Sequence, residues 1–199
     1  MPFLNPLITI AALVSLGVLA GCASTRVEIT GSPLKEPLCH VGAPAIATVV
    51  YWSPQWRPDQ KEPPLREAAA LSGIQDFLSR TSCLIVAGIH RLPAGDAIPS
   101  DADLARLVVS SVSKAERVLH IVVRELGPRI TIGIPVVLEG ETEVLIDVRV
   151  LAPQGSVSLA DARTSWHNGG AFVIKGVKTL DQDMSAALSA TLMQGGVSK

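Results

Sequence analysis

The sequence predicts an α/β (α+β) domain, a two-layer sandwich in which one mixed sheet carries helices mainly on one face. Strand-like and helix-like segments follow one another in the order β-α-β-α-β-β-β-α. Two of the later segments alternate between apolar and polar residues, which is typical of strands with one solvated face. The helical segments carry one apolar stripe each, and packing these stripes on the sheet buries both.

The first half of the domain supplies two strands and two helices. The predicted elements are a buried strand over residues 45–52, a proline-rich loop over 53–64, a helix over 64–80, a strand over 84–92 and a helix after Ser100. Prolines fit the first turn of the first helix, in which Leu71, Ile74 and Phe77 share one face. In the second helix, Ser100 is expected to be the N-cap, and Leu104, Leu107 and Val108 to face inward.

The second half is predicted to be mostly strands, followed by one helix. The predicted elements are a strand over 118–126, a turn or kink at 127–128, an irregular or edge segment over 129–138, a turn at 139–141, strands over 144–150 and 160–167, and a turn at 168–170. The last helix is expected to open with a capping box of Thr179 and Gln182. Its apolar residues Leu180, Met184, Leu188 and Leu192 recur every four positions.

An apolar run over residues 6–19 ends in Leu19-Ala20-Gly21-Cys22. The run is shorter than the roughly 20 apolar residues that a transmembrane helix needs, and it fits the apolar region of a secretory signal peptide. Small residues directly before a cysteine resemble the lipobox of bacterial lipoproteins; the alternative is a plain buried helix. The resemblance implies that residues 1–21 are a signal peptide and that Cys22 becomes the acylated first residue.

The flanks of Cys22 bear on export and location. Residues 1–21 contain no Lys or Arg, which leaves open whether translation starts further upstream or export is inefficient. Ala23 and Ser24 follow the cysteine where lipoproteins of the inner membrane often have Asp. The resemblance therefore implies the outer membrane, facing the periplasm. The polar segment up to about Gly42 predicts a tether, so residues 22–44 form the lipidated N-terminus and tether and residues 45–199 a single periplasmic domain.

Composition argues against several classes of partner. The formal net charge is −1, and the chain has no run of Lys or Arg. Nucleic acids and anionic lipid surfaces are bound through clustered cations, so neither is expected to recruit this chain by charge. Aromatic residues make up 4% of the chain, which leaves few platforms for base stacking. The expected partners are the membrane, through the lipid, and an envelope protein or further copies of the chain.

The chain has three cysteines. If Cys22 carries the lipid, Cys39 and Cys83 remain as an even pair in an oxidising compartment, which favours a disulfide. The alternative is two separate buried thiols. A metal site is disfavoured because Cys39 and His40 are adjacent and no second pair stands at the spacing of zinc ligands.

Motifs of catalysis are missing from the sequence. There is no glycine-rich phosphate loop, no Gly-x-Ser-x-Gly elbow and no His-Glu-x-x-His zinc motif. His90 and His120 lie in predicted strands and are interpreted as structural, and His167 as solvent-facing. Glutamates 139, 141 and 143 suit a solvated turn better than a weak calcium site. We therefore predict a protein that is not an enzyme and has no cofactor or metal.

Two aromatic segments are candidate partner surfaces. Tyr51, Trp52, Trp56 and Arg57 lie within one short stretch, and Trp and Arg are common in the energetic centres of interfaces. The alternative is that Trp52 completes a core strand and Trp56 covers a helix end. Trp166 and Phe172 flank a glycine-rich segment that forms a second candidate, for which the alternative is a packed β-turn.

The lipobox, the proline-containing tether and the element order together resemble a group of outer-membrane lipoproteins with a domain like the N-terminal domain of TolB. The group includes the curli secretion, Pel polysaccharide and penicillin-binding-protein activator lipoproteins. The resemblance spans about residues 45–193 at the level of topology and transfers one functional residue, Cys22. It implies a non-enzymatic accessory or assembly subunit of a secretion, polysaccharide export or cell-wall system.

Two other functions remain open from the residues alone. The first is the auxiliary lipoprotein of an ABC-type lipid transporter, which bound phospholipid or an apolar groove lined by residues 130–138 would favour. The second is a periplasmic hydrolase, which turnover that is abolished by one His or Glu substitution would favour.

Overall fold

The structure, a computed structural model, describes residues 23–40, 42, 44–95, 98–111, 115–133, 137–152, 157–171 and 173–193. These residues form strands β1 (Ser24–Ser32), β2 (Ile46–Pro54), β3 (Leu84–Arg91), β4 (Arg117–Gly133), β5 (Val137–Leu151) and β6 (Ser158–Ala171). The helices are α1 (Pro63–Arg80), α2 (Asp101–Ser111) and α3 (Leu180–Leu192), the last preceded by a 3₁₀ turn, Val177–Thr179. Within these ranges no helix is both long and apolar enough to span a bilayer.

The six strands form one mixed sheet in the order β1-β6-β5-β4-β2-β3. Strand β2 is parallel to both β3 and β4, whereas β4, β5, β6 and β1 follow one another as antiparallel neighbours. The parallel pairs are joined through helices and the antiparallel β4–β5–β6 strands follow in sequence, as the element order predicts. The predicted α/β class with one mixed sheet is confirmed.

The main core lies between the sheet and the pair α1 and α3. Phe77 from α1 and Met184 from α3 pack over Ile121 and Ile146 of the central strands, and all four are buried. The four-residue repeat of α3 places Leu180, Met184, Leu188 and Leu192 inside, as predicted. This side of the sheet supplies most of the apolar burial and therefore most of the driving force for folding.

Helix α2 packs on the opposite side of the sheet and builds a smaller core. Its Leu104 contacts a cluster that includes Val49, Val118 and Leu151. The prediction that Leu107 also faces inward is wrong, because this side chain is partly exposed; the side chain of Val108 lies outside the described residues. A short helix with one inward leucine covers only part of this side of the sheet.

The N-terminus of α2 and that of α3 differ from each other. Ser100 Oγ accepts a hydrogen bond from the backbone N–H of Asp103 at 3.2 Å, and the Asp103 carboxylate accepts one from the Ser100 N–H at 3.1 Å. The predicted cap at Ser100 is therefore confirmed. The capping box predicted for α3 is wrong, since the Thr179 hydroxyl bonds the Asp183 carboxylate at 3.2 Å and makes no cap.

Strands β4, β5 and β6 are longer than the sequence predicts. The turn or kink at 127–128 and the turns at 139–141 and 168–170 are wrong for the described residues, which continue the ladders. The predicted irregular or edge segment is regular over residues 129–133, but there β4 pairs with β5 alone, as an edge segment does. The glycines permit close approach here: a Cβ on Gly140 would lie 2.0 Å from the carbonyl oxygen of Val173. Glycine in a strand often marks such an approach, and this is not visible in a linear pattern.

The predicted tether is also wrong over Ser24–Ser32, which forms β1 at the edge of the sheet. Its register with β6 runs from Ser24 opposite Gly169 to Ser32 opposite Asp161. The strand is almost entirely exposed, and its apolar alternation is limited to Val27 and Ile29, which is too short a pattern to mark a strand within a polar segment. Gly31 has φ +89°, and a Cβ there would lie 2.5 Å from the Asp161 carbonyl oxygen, so this glycine serves strand pairing.

Candidate functional site

Cys39 and Cys83 form a disulfide with a Cα–Cα distance of 5.9 Å, which confirms the predicted pairing. Both cysteines are buried within the main core. Next to Cys39, the Leu38 N–H donates to the carbonyl of Leu192 at 2.8 Å. The bridge therefore fastens the segment between β1 and β2 to the junction of α1 and β3, and the neighbouring backbone bond fastens it to the end of α3.

Most of the predicted aromatic contact surface is core. Tyr51, Trp52 and Trp166 are buried, so the prediction that they meet a partner is corrected. Strand alternation sends Trp52 into the main core and Tyr51 to the opposite side, where its ring stacks on His90 with 5.2 Å between centroids. These rings therefore fill the two cores on either side of the sheet.

Trp56 and Arg57 remain reachable from solvent. Trp56 is half-buried at the rim of the main core, and its Nε1 has no hydrogen-bond partner within the described ranges. Arg57 is exposed, and its guanidinium lies 2.8 Å from the Glu125 carboxylate. The remaining predicted residues, Cys22 and Phe172, lie outside the described residues.

Glu125 is the centre of a buried ion cluster that the sequence analysis missed. Its carboxylate lies 3.5 Å from the Arg66 guanidinium, and both side chains are 9% exposed. Arg66 Nε also donates to the carbonyl of Lys61 at 2.7 Å, and Arg66 Nη1 donates to the carbonyl of Leu126. The cluster sits where the β4–β5 register shifts between Val123 and Glu125. A bulge re-aims side chains, and no linear motif marks it here.

The side of the sheet opposite α1 and α3 is polar where α2 leaves it uncovered. We call this uncovered area the open face. Its side chains are Arg26, Glu28, Thr30, Arg124, Arg129, Glu141, Glu143, Asp147, Arg149, Asp161, Arg163, Ser165 and His167. The polar alternation of the later strands predicted such a surface, and the register now brings residues from four strands onto it.

Asp147 is the centre of the open face. Its carboxylate accepts hydrogen bonds from Arg124 Nε at 2.6 Å and from Arg163 Nε at 2.6 Å. Burial raises the pKa of Asp147, but the hydrogen bonds from Arg163 and Arg124 outweigh burial and hold the pKa below its usual range. The carboxylate thus stays ionised near neutral pH and is unsuited to donating a proton.

Arg149 joins the open face to α2. Its guanidinium donates to the Asp101 carboxylate at 2.8 Å and to the carbonyl of Pro99, and it lies 3.1 Å from His120 Nδ1. His120 is buried, and burial first and the Arg149 charge second lower its pKa to about 4, against the opposing influence of Asp147. The neutral imidazole accepts at Nδ1, which agrees with its interpretation as a structural histidine.

We expect acid to destabilise the protein through His120. Its pKa is lowered from 6.5 to about 4 in the folded state, so the unfolded chain binds the proton more tightly across that interval. The contribution of neutral His120 is complete above pH 6.5 and declines as the pH falls toward about 4, by about 3 kcal/mol in free energy of unfolding. Urea unfolding at several pH values measures the decline.

His120→Gln is expected to flatten that pH dependence, because glutamine can accept from Arg149 without titrating. His40→Gln is the matched control, since it makes the same replacement at an exposed histidine. Equal slopes for wild type and His120→Gln would contradict the assignment.

His167 faces the open side of the sheet, as predicted, but only 19% of its side chain is exposed and it is hydrogen-bonded. Its Nε2 lies 2.9 Å from Ser165 Oγ, and its Nδ1 lies 3.2 Å from the Glu141 carboxylate, which also accepts from Arg26 at 2.9 Å. Glu143 pairs separately with Arg129. The predicted cluster of glutamates is thus divided between partners, and within the described ranges no three His, Cys, Asp or Glu side chains converge on a metal position.

Ser165, His167 and Glu141 have the connectivity of a hydrolytic triad but not its surroundings. Strand β6 is bonded on both sides, to β5 and to β1, so its backbone N–H groups are committed to the ladders. A tetrahedral intermediate needs free donors for its oxyanion. Glu28, the register partner of Ser165, instead adds a negative charge beside the hydroxyl. The arrangement suits a structural hydrogen-bond chain better than acyl transfer.

No family model matches the chain. No curated protein matches it either. Solved structures with partial similarity include a PelC dodecamer from Paraburkholderia phytofirmans, at 13% identity and TM-score 0.46, over 85% of this chain and 99% of that one. Lipoprotein GNA1162 from Neisseria meningitidis is similar at 18% identity and TM-score 0.37, over 72% and 96%. A DUF330 protein from Xanthomonas campestris is similar at 11% identity and TM-score 0.42, over 82% and 92%. With TM-scores below 0.5, these similarities assign neither a family nor a function.

Proposed function

We propose that this protein is a lipoprotein of the bacterial outer membrane, held through Cys22 on the periplasmic side, and that it is a non-enzymatic accessory or assembly subunit of a cell-envelope system. The observation that carries the proposal is the junction of anchor and fold. The lipobox-like residues end at Cys22, one residue follows, and β1 begins at Ser24. An acylated Cys22 would therefore be attached directly to the sheet.

Strand β1 is bonded to the rest of the sheet along its length, so an attachment at Cys22 would hold the whole domain. It pairs with β6 over its whole length, from Ser24 to Ser32. Side chains add to the backbone ladder: Asn168 donates to the Thr25 hydroxyl at 2.8 Å, and Arg26 pairs with Glu141 at 2.9 Å. A lipid on Cys22 would therefore hold the domain close to the bilayer, whereas a flexible tether would let the domain move away from it.

The open face supports a binding role. Four of its arginines pair with Glu141, Asp147 and Glu143, so it presents a fixed pattern of charge, and such patterns give specificity in protein association. Asp161 is exposed, and within the described ranges it makes no hydrogen bond or ion pair with another side chain. It lines two adjacent depressions together with Asp147. We infer that this face receives an envelope protein or a second copy of the chain.

The alternative, an auxiliary subunit of an ABC-type lipid transporter, predicts an apolar groove along residues 130–138. In the described part of that segment, Ile130 and Ile132 project from a paired strand and are largely exposed. That geometry lines no groove, so we keep the accessory role as the leading function.

Expression of the full chain in its source bacterium tests both parts of the proposal. We expect wild type to incorporate labelled palmitate and to sediment with the outer membrane, and Cys22→Ser to do neither. A photo-crosslinking amino acid in place of Asp161 is expected to form an adduct of discrete mass. The same amino acid in place of Glu116, an exposed carboxylate outside the open face, is the matched control.

Each part of the proposal can be contradicted separately. Palmitate labelling that persists in Cys22→Ser would contradict the anchor. Identical adducts from the two crosslinking positions, or none from either, would contradict the role of the open face. The mass of purified Cys22→Ser protein, measured by light scattering with native mass spectrometry, then separates a homo-oligomer from a monomer that meets a different protein.

A further inference from the structure

Beyond Val123, β4 continues as a ladder with β5, and we call residues 125–133 and 137–145 the β4–β5 arm. Two isoleucines at the end of this arm and a third that follows β6 are exposed to water. Ile130 is 63% exposed, Ile132 is 69% exposed and Ile174 is 86% exposed. Ile130 and Ile132 are two residues apart on one strand, so their side chains lie on the same face of the arm. We call these three residues the apolar tip. Clustered apolar side chains at a surface are typical of a site that contacts a protein or a membrane.

Ile174 lies near Ile130 because the chain after β6 passes over the paired glycines Gly140 and Gly170. Ile130 is the register partner of Gly140, and Gly140 is the partner of Gly170. A Cβ on Gly140 would lie 2.0 Å from the Val173 carbonyl oxygen and 3.5 Å from the Ile174 Cα. The chain that leaves β6 therefore crosses Gly140, on the face that carries Ile130, and brings Ile174 to the apolar tip.

The register also places the apolar tip at the same end of the sheet as the start of β1. Ser24 is paired with Gly169, Gly169 with Glu141, and Glu141 with Arg129. Ile132 is three residues further along β4, which places it about 10 Å beyond the level of Ser24. Strand β1 runs away from this end, so the chain that precedes Ser24 comes from the side on which the tip projects.

Cys22, the proposed site of the lipid, can reach the end of the sheet at which the apolar tip lies. Cys22 is two residues from Ser24, a span of at most about 7 Å. Three strand spacings separate β1 from β4, or about 14 Å across the sheet. A bilayer that held acyl chains on Cys22 would thus meet the apolar tip, because no stretch of free chain separates the lipid from the fold.

The surrounding charges suit a membrane interface. Lys175 directly follows Ile174, and Arg129 and Arg26 lie at the same end on the open face, where they pair with Glu143 and Glu141. Long cationic side chains can keep their charge at the headgroups while their apolar stems lie along the bilayer. Glu139 is exposed nearby, but it pairs with Thr131 and so lies on the face of the arm opposite to Ile130 and Ile132.

We propose that the apolar tip inserts into the headgroup region of the membrane that holds the lipid on Cys22, and so sets the orientation of the domain. This inference depends on the proposed lipid anchor. A second site of membrane contact would fix the sheet upright, with the tip at the bilayer and the start of β4 directed away from it. The open face would then stand at an angle to the membrane, accessible from the periplasm.

Tryptophan placed at the tip tests the inference with the full, lipidated chain. Ile132→Trp and the matched control Ile85→Trp are reconstituted into liposomes of phosphatidylethanolamine and phosphatidylglycerol, with or without bromine on the acyl chains. Ile85 is 57% exposed on the edge strand β3, at the end of the sheet opposite to the apolar tip. Wild-type emission, from two buried tryptophans and the half-buried Trp56, is the reference.

We expect brominated lipid to quench the added emission of Ile132→Trp about twofold or more, since interfacial segments sit roughly 5–10 Å into the headgroup and acyl boundary. Ile85→Trp should be quenched no more than wild type. Circular dichroism and urea midpoints equal to wild type establish that both variants fold, as expected for substitutions of exposed side chains.

Three results would contradict the inference, and they show whether the proposed lipid anchor fails with it. If the protein floats with liposomes and Ile132→Trp is not quenched, the inference is wrong and the anchor stands. If emission from Ile132→Trp becomes shielded from acrylamide with rising protein concentration in detergent, a second copy covers the tip and the inference is also wrong. If lipidated wild type fails to float, the proposed anchor and this inference fail together.

Discussion

Cys39→Ser/Cys83→Ser is expected to lower the free energy of unfolding by about 4 kcal/mol, which is the chain-entropy value for a loop of this length. The two cysteines are 44 residues apart in sequence and the loop between them contains all of β2 and α1. Without the bridge the unfolded chain gains conformations that the folded state cannot use. Urea unfolding of this variant beside wild type, both in a Cys22→Ser background, measures the difference.

Reduction supplies the control for the double substitution. Dithiothreitol should shift the wild-type urea midpoint to that of Cys39→Ser/Cys83→Ser and leave the variant where it is. A loss below about 1 kcal/mol would indicate that the segment around Cys39 is held mainly by packing and by its backbone bond to α3, against the expectation from loop closure.

Glu125→Ala is expected to lower the free energy of unfolding by about 3 kcal/mol, because it leaves the buried Arg66 guanidinium without its charge partner. Arg66 would keep its bonds to the carbonyls of Lys61 and Leu126, which limits the loss. Glu67→Ala is the matched control. Glu67 pairs with Arg91 at 2.9 Å in a more exposed setting, where removal of a partner costs less than about 1 kcal/mol. Urea unfolding compares the two.

The double variant Arg66→Met/Glu125→Leu separates pairing from packing. If the loss in Glu125→Ala comes from an uncompensated charge, replacement of both partners by apolar side chains should recover much of it. Equal losses in the single and double variants would show instead that the bulge of β4 needs the Glu125 side chain for its shape.

The sequence identified the elements whose patterns are local. The apolar stripe of α3, the cap at Ser100 and the alternation Val144, Ile146, Val148 each come from residues a few positions apart, and the structure confirms them. The cysteine pair followed from counting thiols in an oxidising compartment. These predictions succeed because helix periodicity, capping and strand alternation are properties of neighbouring residues.

Apart from the cap at Thr179 and the side chain of Leu107, the failures share one physical cause, which is pairing with distant parts of the chain. Glycines at 127, 140 and 169 predicted turns, yet they lie in strands where another backbone or the Arg66 side chain passes close by. Strand β1 has an apolar alternation of only two residues, Val27 and Ile29, and is held in place by its ladder to β6. Tyr51, Trp52 and Trp166 looked like a contact surface because the sequence did not show which layers would cover them.

By itself, the sequence determined the fold class, the disulfide pair and the hypothesis of a lipid on Cys22, since each depends on residue type and spacing along the chain. Only the tertiary structure decided where those features lie relative to one another. The register of four strands places the start of β1 and the apolar tip at the same end of the sheet. A bulge in β4 directs the Glu125 side chain toward Arg66. Such contacts depend on which residues of distant strands are paired. One hydrophobic pattern is compatible with several registers, and the register is fixed only when the whole sheet is assembled.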